Sequence, residues 1–184
     1  MPVYISFLRG INVGGAKTIR MAALKTAYEA LGLEPVRTLL NSGNVVFGAR
    51  EKSPAKLTRQ LEDSVEKEFG VRTTIVLRSA GELAKILAKN PFAKMAKEDP
   101  SHLLVMTLAG KPKAGAKAAL AKAYSGAEEI RIAGADVYIT YPKGIGTSKL
   151  TNALLEKHLG VAGTARNWNT LSKLLTLAET LKVS

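Results

Sequence analysis

Two glycine-rich stretches, an asparagine turn and a tryptophan motif carry the residues best suited to chemistry in this chain. The first is LRGINVGGAK, Leu8 to Lys17, where Gly10, Gly14 and Gly15 lie among Arg9, Asn12 and Lys17. Glycine lets backbone amides turn toward a ligand, and a helix N-terminus adds roughly half a positive charge. An oxyanion near Gly14, Gly15 and Lys17 is therefore reasonable, with the Asn12 amide as a further donor. The second is YPKGIGTSKL, Tyr141 to Leu150, which follows a strand and precedes a helix. Its Lys143, Gly146, Ser148 and Lys149 form a second candidate anion nest, with Thr147 or Ser148 as the helix cap. RNWNT holds the sole tryptophan, so Arg166, Asn167, Trp168 and Asn169 offer either a stacking face for a base or an anchor for the last helix. NSGN, Asn41 to Asn44, has the composition of a tight turn.

Several chemistries find no residues to run them. Neither glycine stretch spells GxGxxG or GxxxxGK[ST], so no nucleotide fingerprint is present. Neither carries Asp or Glu, as metal-assisted phosphoryl chemistry requires. Cysteine is absent, which removes disulfides, thiolate nucleophiles and thiolate metal sites and suits a reducing cytoplasm. Ser42 and Ser148 have no histidine in their motifs, and His102 and His158 share no motif, so both histidines are expected to be structural. No cofactor or metal is implied, and whether the chain is an enzyme stays open.

Charge points to the partner. Lys and Arg number 27 against 15 Asp and Glu, a formal net charge of +12. A field of that sign attracts polyanions, nucleic acid above all. The bases are spread evenly: residues 1–92 hold 14 bases and 8 acids, residues 93–184 hold 13 and 7. The apolar run Val3 to Leu8 is shorter than a signal peptide core and far shorter than a membrane span. A cytoplasmic protein without a membrane anchor is expected.

The elements that must position these stretches repeat. VYISFL reads as a strand, MAALKTAYEALG as a helix, VRTLL and NVVF as a hairpin, and SPAKLTRQLEDSVEKEFG as a helix. That helix has Ser53 as cap, Pro54 at its first position, an apolar residue every fourth place and Gly70 as its stop. A strand through VRTTIVL and a helix AGELAKILAKN follow. The second half repeats this order from HLLVMTL to TLSKLLTLAETL. Twice the chain reads βαββαβ plus a helix, the order of the ferredoxin-like split βαβ unit. The strands Val3–Leu8 and Leu103–Leu108 are apolar on both faces, so both sheet faces are expected to be covered. The expected fold class is α+β: two tandem ferredoxin-like halves packed as one compact unit, residues 1–92 and 102–184, with 93–101 as linker.

LRGINVGG, NSGNVVF, NPF at residues 90–92, YPKGIGTSKLT and RNWNT occur in the order seen in a bacterial family, and the chain resembles the domain-of-unknown-function family 1697. The resemblance runs from Tyr4 to about Leu177 and implies two similar α+β halves. It implies no activity. The RNA-recognition domain shares the βαββαβ order, but its aromatic third-strand motif is missing, GNVVF standing there instead. Three functions follow: a module binding a phosphate-bearing anion, nucleic acid or nucleotide, through these loops; an enzyme on a small phosphorylated or carboxylated substrate; or an interaction protein whose loops are purely structural. The oligomeric state is left open. With the first and third strands of each half taken as parallel, Arg9–Lys17 and Asn41–Asn44 fall at opposite sheet edges, as do Lys143–Lys149 and Arg166–Asn169. On that arrangement a single site has to form between the halves.

Overall fold

The computed structural model describes residues 1–15 and 17–183. The chain divides into two compact units, Met1–Lys85 joined by the chain from Lys173 onward, and Ile86–Ser172. In the first unit β1 (Val3–Leu8), α1 (Met21–Ala30), β2 (Val36–Leu39), β3 (Asn44–Gly48), α2 (Pro54–Phe69) and β4 (Ile75–Ser79) build a four-stranded sheet in the order β2-β3-β1-β4. After α3 (Ala80–Ala88) and the short α4 (Ala93–Glu98), the second unit repeats the scheme with β5 (Leu103–Leu108), α5 (Ala116–Ala123), β6 (Ile130–Ala133), β7 (Asp136–Thr140), α6 (Asn152–Leu159) and β8 (Gly163–Asn167), ordered β6-β7-β5-β8. Helix α7 (Trp168–Val183) follows. The stretch 93–101 thus holds α4 and the start of a one-turn helix, Pro100–His102.

Local sequence explains most of the boundaries. Ser53 accepts the Lys56 amide at the start of α2, Pro54 occupies the first helical position, and Gly70, at φ 63°, ends the helix in the left-handed conformation. Leu57, Leu61 and Val65 bury one stripe of α2 against Tyr4, Leu8, Val45 and Phe47 of the sheet and Leu24 and Tyr28 of α1. Within this core the Ser6 and Tyr28 hydroxyls bond at 3.0 Å, which lets a strand keep a buried serine without an unmet polar group. In the second unit Leu104, Met106, Val137 and Ile139 pack with Leu120, Leu155 and Leu159 of α5 and α6. Every residue of β1 and of β5 is buried, so both faces of each central strand are covered, as apolar residues on both faces of each strand require.

The strand directions correct one expectation. β3 runs antiparallel to β1 with Phe7 opposite Asn44, and β7 antiparallel to β5 with Leu103 opposite Thr140. β2 pairs antiparallel with β3, so β2 shares the direction of β1, and the hairpin inserts β3 between them pointing back. The C-terminal end of β1 therefore meets the start of β3, not its end. Arg9–Lys17 and Asn41–Asn44 lie at one edge of the first sheet rather than at opposite edges. Leu104 likewise pairs with Asn167, so Lys143–Lys149 and Arg166–Asn169 share one edge of the second.

The pairing registers match position by position. Ile5 lies between Val46 and Arg78, and Val105 between Tyr138 and Arg166. One step along, Ser79 and Asn167 occupy equivalent places, and each caps the following helix by accepting the amide three residues on, from Glu82 and Thr170.

Candidate functional site

At the first unit's edge, three connections are tied together by backbone and by Asn12. The Arg9 amide donates to the Thr74 carbonyl at 3.0 Å, the Thr73 hydroxyl to the Arg9 carbonyl at 2.6 Å, and the Leu8 amide to the Gly43 carbonyl at 2.9 Å. Asn12, held at φ 56°, accepts the Ile19 amide at 2.8 Å and donates to the carbonyls of Ile19 and Asn41 at 2.9 and 2.5 Å. Its side chain is thus committed to bracing the loop against the hairpin. Lys17 reaches the Arg72 carbonyl at 3.3 Å. Gly14 and Gly15 are exposed and at positive φ, but α1 begins only at Met21, beyond Arg20 as its cap. The glycines do not open onto a helix N-terminus, because the chain spends Lys17 to Arg20 crossing back to the core.

At the second unit's edge four segments converge: the turn before β5, the end of β7, the strand preceding α7, and the residues entering β6. The Tyr141 amide donates to the His102 carbonyl at 2.8 Å, which seats the Tyr141–Lys149 loop beside His102. Ser148 and Tyr124 both hydrogen-bond the Glu128 carboxylate. Burial works to raise the Glu128 pKa, yet these two bonds and the nearby Lys143 charge prevail and hold it below the usual range. The amides of Gly144 and Ser148 are spent on turns within the loop, to Tyr141 and Ile145. Anion contact here falls to Lys143 and Lys149, whose residues are exposed, as is Gly146. The expected cap is also corrected: α6 starts at Asn152 and is capped by Thr151, which accepts the Leu154 amide at 3.2 Å, while Thr147 donates to the Lys143 carbonyl and Ser148 is held by Glu128.

The tryptophan motif serves the fold first. Asn167 caps α7 through its bond to the Thr170 amide at 2.9 Å. Arg166 donates to the Thr164 hydroxyl at 2.6 Å and the Ala165 carbonyl at 2.9 Å, and desolvation pulls its pKa down to about 10, although the residue as a whole is only half-buried. Trp168 is half-buried and Asn169 exposed. His102 is the residue that sequence patterns missed. Its Nδ1 lies 2.6 Å from the Asp99 Oδ2, a pairing visible in the sequence only as an Asp three residues before a His.

Three clefts qualify the charge argument. A groove of about 720 Å³ between α1 and α2 is lined by Ala23, Ala27, Leu31 and Phe69, with Asp63, Lys67 and Glu68 among its charged residues. A second, of about 390 Å³, sets Arg9, Lys17 and Arg72 against Glu62, Asp63 and Glu66. The third, of about 490 Å³ in the second unit, has Lys94 against Glu98, Asp99 and Glu129 beside Pro91, Phe92 and Met95. In none of these three do bases outnumber acids. Arg72 is bound to Glu66 at 2.8 and 3.1 Å, and Arg131 lies 5.6 Å over the Phe92 ring. No group of three or more metal-ligating side chains occurs among the described residues.

Two four-stranded antiparallel sheets, each covered by helices and each gathering its signature loops at one edge, define a mixed α and β protein. Residues 1–138 match the model of the family described as Protein of unknown function (DUF1697), and the chain belongs to that family. YPKGIGTSKLT and RNWNT lie beyond the matched residues. No curated protein matches the chain. Among solved structures it is similar to the conserved bacterial protein SP0830 from Streptococcus pneumoniae, at 23% identity and a TM-score of 0.73, over 96% of this chain and 98% of that one. Likeness at that identity concerns the fold alone. No helix among the described residues is long and apolar enough to cross a membrane.

Proposed function

We propose that this is a cytoplasmic protein of two tandem ferredoxin-like units that binds an extended phosphate-bearing anion, single-stranded nucleic acid in the first instance, through its exposed loops. The observation that carries the reading is the mismatch between a net charge of +12 and three clefts in which acids equal or outnumber bases. The excess positive charge therefore lies outside these hollows. A small phosphorylated or carboxylated substrate calls for a cationic pocket, whereas a polymer meets charge on an outer surface. Lys143 and Lys149 on the Tyr141–Lys149 loop are the contacts proposed first; Arg9 and Lys17 on the first unit, which line the second cleft beside Glu62, Asp63 and Glu66, are further candidates. The tandem ferredoxin-like assignment draws support from the sheet orders β2-β3-β1-β4 and β6-β7-β5-β8 and their matching registers.

Fluorescence anisotropy with labelled oligo-dT of about 20 nucleotides, titrated at rising salt, tests the reading, since each phosphate contact on a single strand contributes about 0.7 to the slope of log K on log salt. Replacing Lys143 and Lys149 together by alanine is expected to lower that slope by about 1.4, two contacts' worth. No binding at low salt, or a flat salt response, removes nucleic acid as the ligand. A parallel thermal-shift screen with nucleotides and small phosphates then decides whether a small anion takes its place.

A further inference from the structure

We propose that His102, oriented by Asp99, supplies a third cationic contact to the phosphate held by the Tyr141–Lys149 loop. The inference rests on the reading above and names a residue that neither glycine stretch contains. Asp99 Oδ2 lies 2.6 Å from Nδ1 of His102, and the Ser101 hydroxyl donates to the other Asp99 oxygen at 3.1 Å, so the carboxylate is itself held in place. With Nδ1 directed at a carboxylate, the free end of the ring is Nε2. In the imidazolium form Nε2 carries a proton that it can donate. The bond to His102 is in turn the largest cause of a lowered Asp99 pKa.

Nε2 faces the loop. A Cβ placed on Gly144 would come to 3.7 Å from it, close enough to lie against the ring nitrogen. Gly144 has φ 80° and ψ 152°, a conformation that is essentially glycine's alone, so the position beside Nε2 is kept free of a side chain. The His102 side chain is 39% exposed and that of Asp99 42%, which leaves the pair open to a solute. The ligand chemistry this fits is a phosphate oxygen: Nε2–H donates a charge-assisted hydrogen bond on the edge that carries Lys143 and Lys149. Charged groups around this turn include Lys94, Lys97 and Glu98 of α4, Arg166 of β8, Glu129, which shares a cleft with Asp99, and Glu128, which binds Ser148 of the loop near Lys143. Histidine as a side-chain class changes its charge between about pH 5 and about pH 8, so pH is the variable that tests the contact.

Oligo-dT binding measured at about pH 5.5 and about pH 8 tests this, with the wild type expected to bind about tenfold more tightly at the lower pH. His102→Gln is expected to abolish that ratio and lower the salt slope at the acidic pH by about 0.7. Asp99→Asn is expected to shrink the ratio, and His158→Gln, which removes the only other histidine, to leave it intact. Labelled dTMP run alongside identifies the source: the same ratio with dTMP assigns the contact to an isolated phosphate, and a ratio with oligo-dT alone assigns it to a strand. Salt-dependent oligo-dT binding with an unchanged ratio in His102→Gln overturns this inference and leaves the nucleic-acid reading standing. Absence of oligo-dT and dTMP binding at both pH values overturns both.

Discussion

Replacing Asn12 by alanine separates a brace from a ligand contact. The side chain makes three hydrogen bonds, with the Ile19 amide at 2.8 Å, the Ile19 carbonyl at 2.9 Å and the Asn41 carbonyl at 2.5 Å, and its backbone sits at φ 56°. A net protein hydrogen bond contributes about 0.5–1.5 kcal/mol, and two of these are part-buried and the third exposed, so together they account for about 1–3 kcal/mol. Asparagine also tolerates the left-handed region better than alanine, which adds about 1 kcal/mol to the loss. Asn12→Ala is therefore expected to destabilise by about 2–4 kcal/mol, and Asn12→Gly by about 1 kcal/mol less because glycine removes the backbone strain. Urea unfolding followed by circular dichroism reads this as a midpoint lowered by about 1 M or more at unchanged slope. A variant of wild-type stability that has lost oligonucleotide binding would refute the reasoning, since the amide would then serve a ligand rather than the fold.

Two further perturbations read the same scaffold. Gly43→Ala places a Cβ 2.7 Å from Ile11 Cδ1 and 2.8 Å from Leu8 Cβ at a φ of 78°, whereas Gly14→Ala, at φ 62°, meets nothing within 4 Å. Thermal unfolding should show a loss above about 2 kcal/mol for the first and about 1 kcal/mol for the second, and equal losses would contradict the steric account. The lowered pKa of Glu128 means that its bonds to Ser148 and Tyr124 contribute stability above the unfolded carboxyl pKa, lost as pH falls through the folded value. Glu128→Gln should therefore show a shallower decline in melting temperature on acidification than the wild type, and superimposable profiles would remove the carboxylate from that role.

Element types were legible because local signals agree with tertiary demand. The Ser53 cap, Pro54, the four-residue apolar spacing and Gly70 all specify α2, and the structure ends that helix where they do. Apolar residues on both faces of β1 and β5 correctly announced strands buried on both faces. Loop geometry was less legible. Thr147, Ser148 and Thr151 are each competent caps, and the choice of Thr151 depends on Glu128 holding Ser148 from 20 residues away in sequence. Asn12 reads as a ligand donor until the Asn41 carbonyl is found beside it, a contact between residues 29 apart. The Asp99–His102 pair is local, yet spacing alone does not say that the glycine loop crosses it.

The two units carry their elaborated loops at different ends of one scaffold. Between β1 and α1 the chain runs from Arg9 to Arg20, 12 residues, whereas β5 to α5 takes 7, Ala109 to Gly115. The relation reverses after the third strand, where Ala49 to Ser53 spans 5 residues in the first unit and Tyr141 to Thr151 spans 11 in the second. The strand registers are equivalent, so the long loop of the first unit stands at the C-terminal end of its central strand and that of the second at the N-terminal end. A loop longer than a connection needs must be held by something other than its ends. Asn12 does this in the first unit, and Glu128 with the Tyr141 backbone in the second. Each brace leaves the loop's lysines to solvent or to a backbone carbonyl: Lys143 and Lys149 are exposed, and Lys17 lines a cleft in which acids equal bases. Surface-borne cations on fixed loops suit a ligand that lies across the protein, which is why salt dependence, rather than pocket occupancy, is the measurement that decides its function.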